Sequence, residues 1–108
     1  MNTKLFASSL DLLVEELRTN KHYCEFKMTK KGFTNDDEKY YTPSELTMID
    51  IYSFEEALYP GQFSFVYILR DSNGVIGYSK DLLSEYSMNE EKLYHWFITK
   101  IYDKLNEH

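Results

Sequence analysis

The chain has one cysteine, two prolines, four glycines and a single tryptophan in 108 residues, and each scarcity removes a class of protein. With Cys24 alone, no intramolecular disulfide can form, so a secreted scaffold held by crosslinks is excluded. Its neighbours Tyr23 and Glu25 bring no cation to draw out a thiolate, which favours a structural thiol over a reactive one. The chain has no repeats, low-complexity segments or linkers. No apolar run is long enough for a signal core or a membrane span, and the default expectation is a cytoplasmic protein without a membrane partner. Cations are also short, 12 Lys and Arg against 18 Asp and Glu for a net charge of −6. That balance repels a phosphate backbone, so no nucleic-acid partner is expected.

Chemical motifs are missing as well. The chain has no nucleophile elbow, phosphate loop or zinc-type His pair, and no cofactor or metal is expected. What the chain does have is rings. Aromatic residues make up 17% and hydrophobic residues 43% of it, which excludes disorder and suits a sheet covered by side chains. The length fits one domain, residues 1–108, with one core.

From Thr3 to Thr19, Phe6, Leu10, Leu13 and Leu17 recur at helical spacing and predict a helix with one buried stripe. Leu5 and Leu12 lie off that stripe. Cys24, Phe26 and Met28 alternate with Glu25, Lys27 and Thr29, the period of a strand with one wet face. Lys30 to Tyr41, with Gly32 and a polar run, predicts an exposed loop. Thr42-Pro43-Ser44-Glu45 carries a capping box and predicts one short turn.

Two further strands, Met48–Glu55 and Phe63–Arg70, are separated by Pro60-Gly61. The second of them meets a fourth, Val75–Lys80, across Asp71-Ser72-Asn73-Gly74. A two-residue or a four-residue hairpin loop places Phe65, Tyr67, Leu69, Ile76 and Tyr78 on one core face. The other face then holds Val66, Ile68, Arg70, Gly77 and Ser79. Ser87 and Glu90 form a capping box for a last helix, about Met88 to Asn106. Leu93, Tyr94, Phe97, Ile98, Ile101 and Leu105 make its apolar side, with Trp96 roughly opposite. The expectation is an α+β fold of order αββββα, a single layer of four mainly antiparallel strands with both helices on one face.

Candidate chemistry is sparse. His95 has Glu91 one turn before it, an ordinary helix-surface pair. Asp36-Asp37 is followed by bulky residues that would keep a phosphate from the backbone, so a solvated loop is expected. Lys27, Lys30 and Lys31 with Phe26 and Phe33 make only one strand of a nucleic-acid platform.

The block Met48–Tyr86 resembles a small uncharacterised bacterial domain family. The matching residues are Tyr52, Phe54, Glu55, Pro60, Tyr67, Gly74, Gly77 and Asp81. Ser53, Glu56, Ile76 and Leu82-Leu83-Ser84 stand where relatives carry Arg, Gly, Lys and Ala-Tyr-Gly. Some relatives bear the label phosphoribosylpyrophosphate synthetase. This chain has neither a paired-acid phosphoribose loop nor an ATP-binding segment, so that activity is not expected of it.

The functional expectation is a non-catalytic binding or self-association module, either a homodimer or bound to a protein partner. Its interface candidates are Leu5, Leu12, Val66, Ile68 and Trp96, the apolar residues outside the expected core. The alternative is a small-molecule site or minor enzyme at the strand ends, with Tyr52, Glu55, Tyr67 and Asp81 as ligand-binding candidates. A deep pocket with convergent polar groups there would favour that alternative, and a flat aromatic surface the module.

Overall fold

A computed structural model describes residues 4–36, 38–55, 60–81 and 88–106. The fold is α+β. Helix α1 (Lys4–Thr19) leads into β1 (Cys24–Glu25), β2 (Lys27–Thr29), β3 (Gly32–Thr34) and β4 (Tyr40–Tyr41). A short 3-10 turn, Pro43–Glu45, precedes β5 (Leu46–Glu55), followed by β6 (Phe63–Asp71), β7 (Ile76–Asp81) and α2 (Met88–Asp103). A four-stranded sheet has the order β1-β7-β6-β5, and a second sheet has the order β2-β3-β4. The structure is therefore not the single layer expected from the sequence.

The second sheet occupies part of the stretch expected to be an exposed loop. The chain turns at Lys30-Lys31, and β2 and β3 pair antiparallel from Thr29↔Gly32 to Lys27↔Thr34. Gly32 sits at φ +140°, a backbone region in which side chains are strained. Phe33, in this otherwise polar segment, is fully buried. Its ring centroid lies 4.5 Å from that of Phe97 and 5.8 Å from that of Phe26. Those contacts make β3 worth folding, because a buried ring contributes several times more than a polar turn residue.

The extended segment from Cys24 to Thr29 alternates as expected but serves both sheets. Cys24 and Glu25 run parallel to Gly77 and Tyr78 on β7, the Phe26 N–H donates to the Tyr78 carbonyl at 2.8 Å, and then the chain crosses to β3. Gly77 makes that crossing possible. A Cβ there would lie 2.5 Å from the Cys24 carbonyl oxygen and 2.6 Å from the Phe26 ring.

The helices cover opposite faces of the four-stranded sheet, which corrects the expectation that both pack on one. Tyr94, Phe97, Ile98 and Ile101 of α2 share a core with Phe26, Phe33, Met48 and Leu69. Leu17 of α1 shares another with Val66, Ile68 and Tyr78, flanked by Leu10, Leu13, Val14 and Phe54. The cause is the register of the hairpin. β6 and β7 pair from Arg70↔Ile76 to Phe65↔Asp81, with backbone bonds from the Asp71 N–H to the Val75 carbonyl and from the Gly74 N–H to the Asp71 carbonyl.

The loop is thus three residues, Ser72 to Gly74, with Gly74 at φ +88°, the common alternative to the two-residue turn. It differs by one residue from both expected registers. A one-residue shift sends Ile76 and Tyr78 to the face of Val66 and Ile68 and brings Gly77 and Ser79 beside Leu69 and Tyr67. The even face becomes apolar, and α1 buries it.

On β5, a register shift between Met48 and Asp50 marks a bulge at Ile49. The extra residue turns Met48 to the same side as Ile51, so Met48 reaches the α2 core while Phe54 packs toward α1. The capping turn stands as expected, with the Thr42 N–H donating to the Glu45 carboxylate at 2.8 Å. Ser87 and the side chains of Phe6 and Glu90 lie outside the described residues.

Candidate functional site

α2 does not cover the whole of its sheet face. Beside it lies an open groove of about 230 Å³ lined by Ile51, Phe65, Tyr67, Ile98, Thr99 and Tyr102. Three elements build it. Ile51 stands opposite Tyr67 on the paired strands β5 and β6, while Ile98 and Tyr102, four residues apart on α2, project from one helix face. Phe65 and Tyr67, two apart on β6, point the same way, and their rings lie near-parallel at 14° with centroids 6.1 Å apart.

Asp81 closes one end of this surface. It ends β7 directly opposite Phe65, and its Oδ2 lies 3.3 Å from His95 Nε2 on α2. Burial pushes the Asp81 carboxyl above the ordinary carboxylate range, and the neighbouring His95 opposes that shift. The Tyr67 phenol is pushed up to about 12, first by burial and then by the charge on Asp81. At neutral pH Tyr67 therefore keeps its proton and can donate a hydrogen bond but cannot serve as a base.

An Asp–His pair becomes catalytic when the imidazole also holds a nucleophile. Ser79, which faces the same way, is sealed in the core with its hydroxyl 2.9 Å from that of Tyr94. Among the described residues, no three His, Cys, Asp or Glu side chains gather as a metal site.

Of the four ligand-binding candidates, the structure brings only Tyr67 and Asp81 together. Tyr52 points to the opposite face, where its phenol bonds Asp50. Glu55 is exposed at the far end of β5, and its carboxylate accepts the Gly61 N–H at 2.9 Å. The interface candidates also separate. Val66 and Ile68 are buried under α1, which corrects their reading as partner residues. Leu12 at 50% and Trp96 at 51% are exposed as expected, but on helices covering opposite sheet faces. The side chain of Leu5 lies outside the described residues.

Phe26 and Phe33 are buried and unavailable to stack on bases. Asp36 is a turn former whose carboxylate accepts the backbone N–H groups of Glu38 at 2.8 Å and Lys39 at 3.2 Å, bonds that hold its carboxyl below the usual range. Asp37 lies outside the described residues. Sequence reasoning missed His95 as the partner of Asp81, because 14 residues separate them and no spacing rule joins a strand end to a helix flank. The signal for Tyr102 was present, four residues beyond Ile98 on the apolar side.

No family model, curated protein or solved structure matches the chain. Among the described residues no helix is long and apolar enough to cross a membrane.

Proposed function

We propose that the protein is a non-catalytic binding module that takes an extended strand of a protein partner, either a second copy or another chain, along β5 and the adjoining groove. One observation carries this reading: β5 is a ten-residue strand at the end of its sheet, continuous through Ile51 with an apolar aromatic groove. Long edges are usually blunted by lysine, proline or a cover, because their free N–H and C=O groups template another strand. β5 has a bulge at Ile49 but no lysine or proline, and it exposes Ile49, Ile51 and Tyr52. Added strands bind by such main-chain ladders, with side-chain pockets setting preference.

The groove is shallow and apolar, which disfavours the small-molecule alternative, as does the engagement of Glu55 with Gly61. A peptide of alternating Thr and Val, titrated into labelled protein, should shift the backbone amide resonances of residues 50–55 and of the α2 flank around Thr99. Ile51→Lys should weaken the effect. Shifts confined to α1, or none at millimolar peptide, would remove the proposal.

A further inference from the structure

Resting on that reading, we propose that the strand taken up at β5 is the β5 of a second copy, paired antiparallel about a two-fold axis at Tyr52. Two four-stranded sheets then become one of eight strands. The direction of the backbone groups along β5 decides what can pair there. The Asp71 N–H and C=O both turn toward the far side of its hairpin, bonding the Val75 carbonyl and the Gly74 N–H. Backbone groups alternate sides along a strand, so those of Arg70, Ile68, Val66 and Ser64 turn toward β5, where their partners are Thr47, Asp50, Tyr52 and Phe54. Ile51, Ser53 and Glu55 therefore aim their N–H and C=O groups away from the sheet. The Ile51 N–H agrees, since it donates to the Asp50 carboxylate at 2.9 Å instead of to β6.

An outward residue must meet an outward residue, which places the axis on a residue and not between two. An axis at Ile51 runs the ladder through the bulge at Ile49. An axis at Ser53 sets the charge of Glu55 against Ile51, a lining residue of the apolar groove, where a carboxylate loses water at a cost. An axis at Tyr52 avoids both. It pairs residues 50–54 of the two copies, with Ile51 opposite Ser53 and Asp50 opposite Phe54. Tyr52 meets itself at a non-hydrogen-bonded position, where facing side chains approach most closely and an aromatic pair stabilises the seam. The Ser53 N–H of each copy donates to the Ile51 carbonyl of the other, while the Ile51 N–H keeps its bond to Asp50.

Charge and closure select a second copy as the occupant. No like charges stand opposite one another in this register, and both carboxylates of β5 already accept a backbone N–H, Asp50 from Ile51 and Glu55 from Gly61. The net charge of −6 weighs little at the seam, because exposed charges more than about 8 Å apart are screened at physiological ionic strength. Two-fold pairing uses the long edge of both copies at once and brings the exposed Ile51 and Tyr52 of each to one seam. The opposite end of the sheet, β1, has only two residues, so the assembly closes at two.

Sedimentation of the full chain should give a dimer at micromolar concentration. Ser53→Pro removes an outward N–H without touching the β6 ladder, so the fold should remain while the dimer weakens about tenfold or more. Tyr52→Glu, at an exposed position, sets two like charges face to face and should act in the same direction, which carries the test if the proline variant does not fold. The register is read by adding one thiol and treating with oxidised glutathione, the parent with its half-buried Cys24 serving as control. Tyr52→Cys should crosslink two chains and Ser53→Cys should not, because only the first brings two Cβ atoms within disulfide reach. A dimer indifferent to both Ser53→Pro and Tyr52→Glu, or crosslinking by Ser53→Cys and not by Tyr52→Cys, overturns the inference. A strict monomer overturns it as well. If the Thr/Val peptide then still shifts residues 50–55, the module stands with another chain as its partner, and if it does not, both readings fall.

Discussion

Asp71 is the residue on which several parts of the molecule converge. Its carboxylate accepts the Asn73 N–H at 2.9 Å and the Val75 N–H at 2.8 Å, which shapes the hairpin loop. It also accepts the Tyr41 hydroxyl at 3.0 Å, which ties the small sheet to the large one. Burial raises the Asp71 carboxyl, but the Val75 N–H, the Tyr41 hydroxyl and the Asn73 N–H outweigh it and hold the group below its ordinary value. The same contact, after burial, helps push the Tyr41 phenol up to about 12. Because the folded carboxyl gives up its proton more readily than the unfolded one, its contribution to stability is present above the unfolded value. It is lost as pH falls through the folded value. Asp71→Asn should cost about 1–3 kcal/mol at pH 7, and denaturant melts at descending pH should show the gap to the parent closing below about pH 4. A gap that is constant with pH would mean the charge on Asp71 contributes nothing.

At the scale of elements, the small sheet depends on few residues. β2, β3 and β4 have three, three and two residues, too few backbone bonds to persist alone, so their stability comes from the rings they bury. Phe33 stacks on Phe26 at an interplanar angle of 5° and packs on Phe97, while Tyr41 meets the edge of Phe26 with centroids 5.5 Å apart. Phe33→Ala should therefore destabilise by about 3–5 kcal/mol, against ~0.5 kcal/mol or less for the exposed turn residue in Lys31→Ala. Equal effects in chemical denaturation would return the segment to an exposed loop. The α2 end is secured differently, by Lys104 donating to the carbonyls of Pro43 and Leu46, which links the last helix to the capping turn ahead of β5.

For the whole molecule, the decisive property is that the four-stranded sheet carries a buried core on each face. Val66 and Leu69, three residues apart on β6, are both fully buried yet belong to different cores. An interface role for Ile68 would allow a charge there at little cost to the monomer. Its place beneath α1 requires the opposite, since an unpaired buried carboxylate is among the most destabilising changes known. Ile68→Glu should abolish the cooperative thermal transition, as followed by circular dichroism. A variant that keeps a native melt and merely changes sedimentation would put Ile68 on the surface.

The sequence by itself determined both helices, the two long strands β5 and β6, the hairpin after them and the capping turn. Each depends on local periodicity or side-chain chemistry that survives any arrangement. The off-stripe positions of Leu12 and Trp96 were legible for the same reason. Tertiary structure alone decided which faces met. Asp71-Ser72-Asn73-Gly74 suits loops of two, three or four residues, and strand alternation is blind to a one-residue slip, so the parity of β7 against β6 was set by long-range packing. Tyr78 and Ile76 gain burial under α1, while Gly77 admits Cys24 and Phe26 where a Cβ would collide. The segment 30–41 hid its strands because two buried rings carried them among polar neighbours. Of the candidate site, Tyr67 and Asp81 were visible as residues, but the groove exists only once α2 lies against β5 and β6, and the Asp81–His95 contact only once α2 lies beside the end of β7.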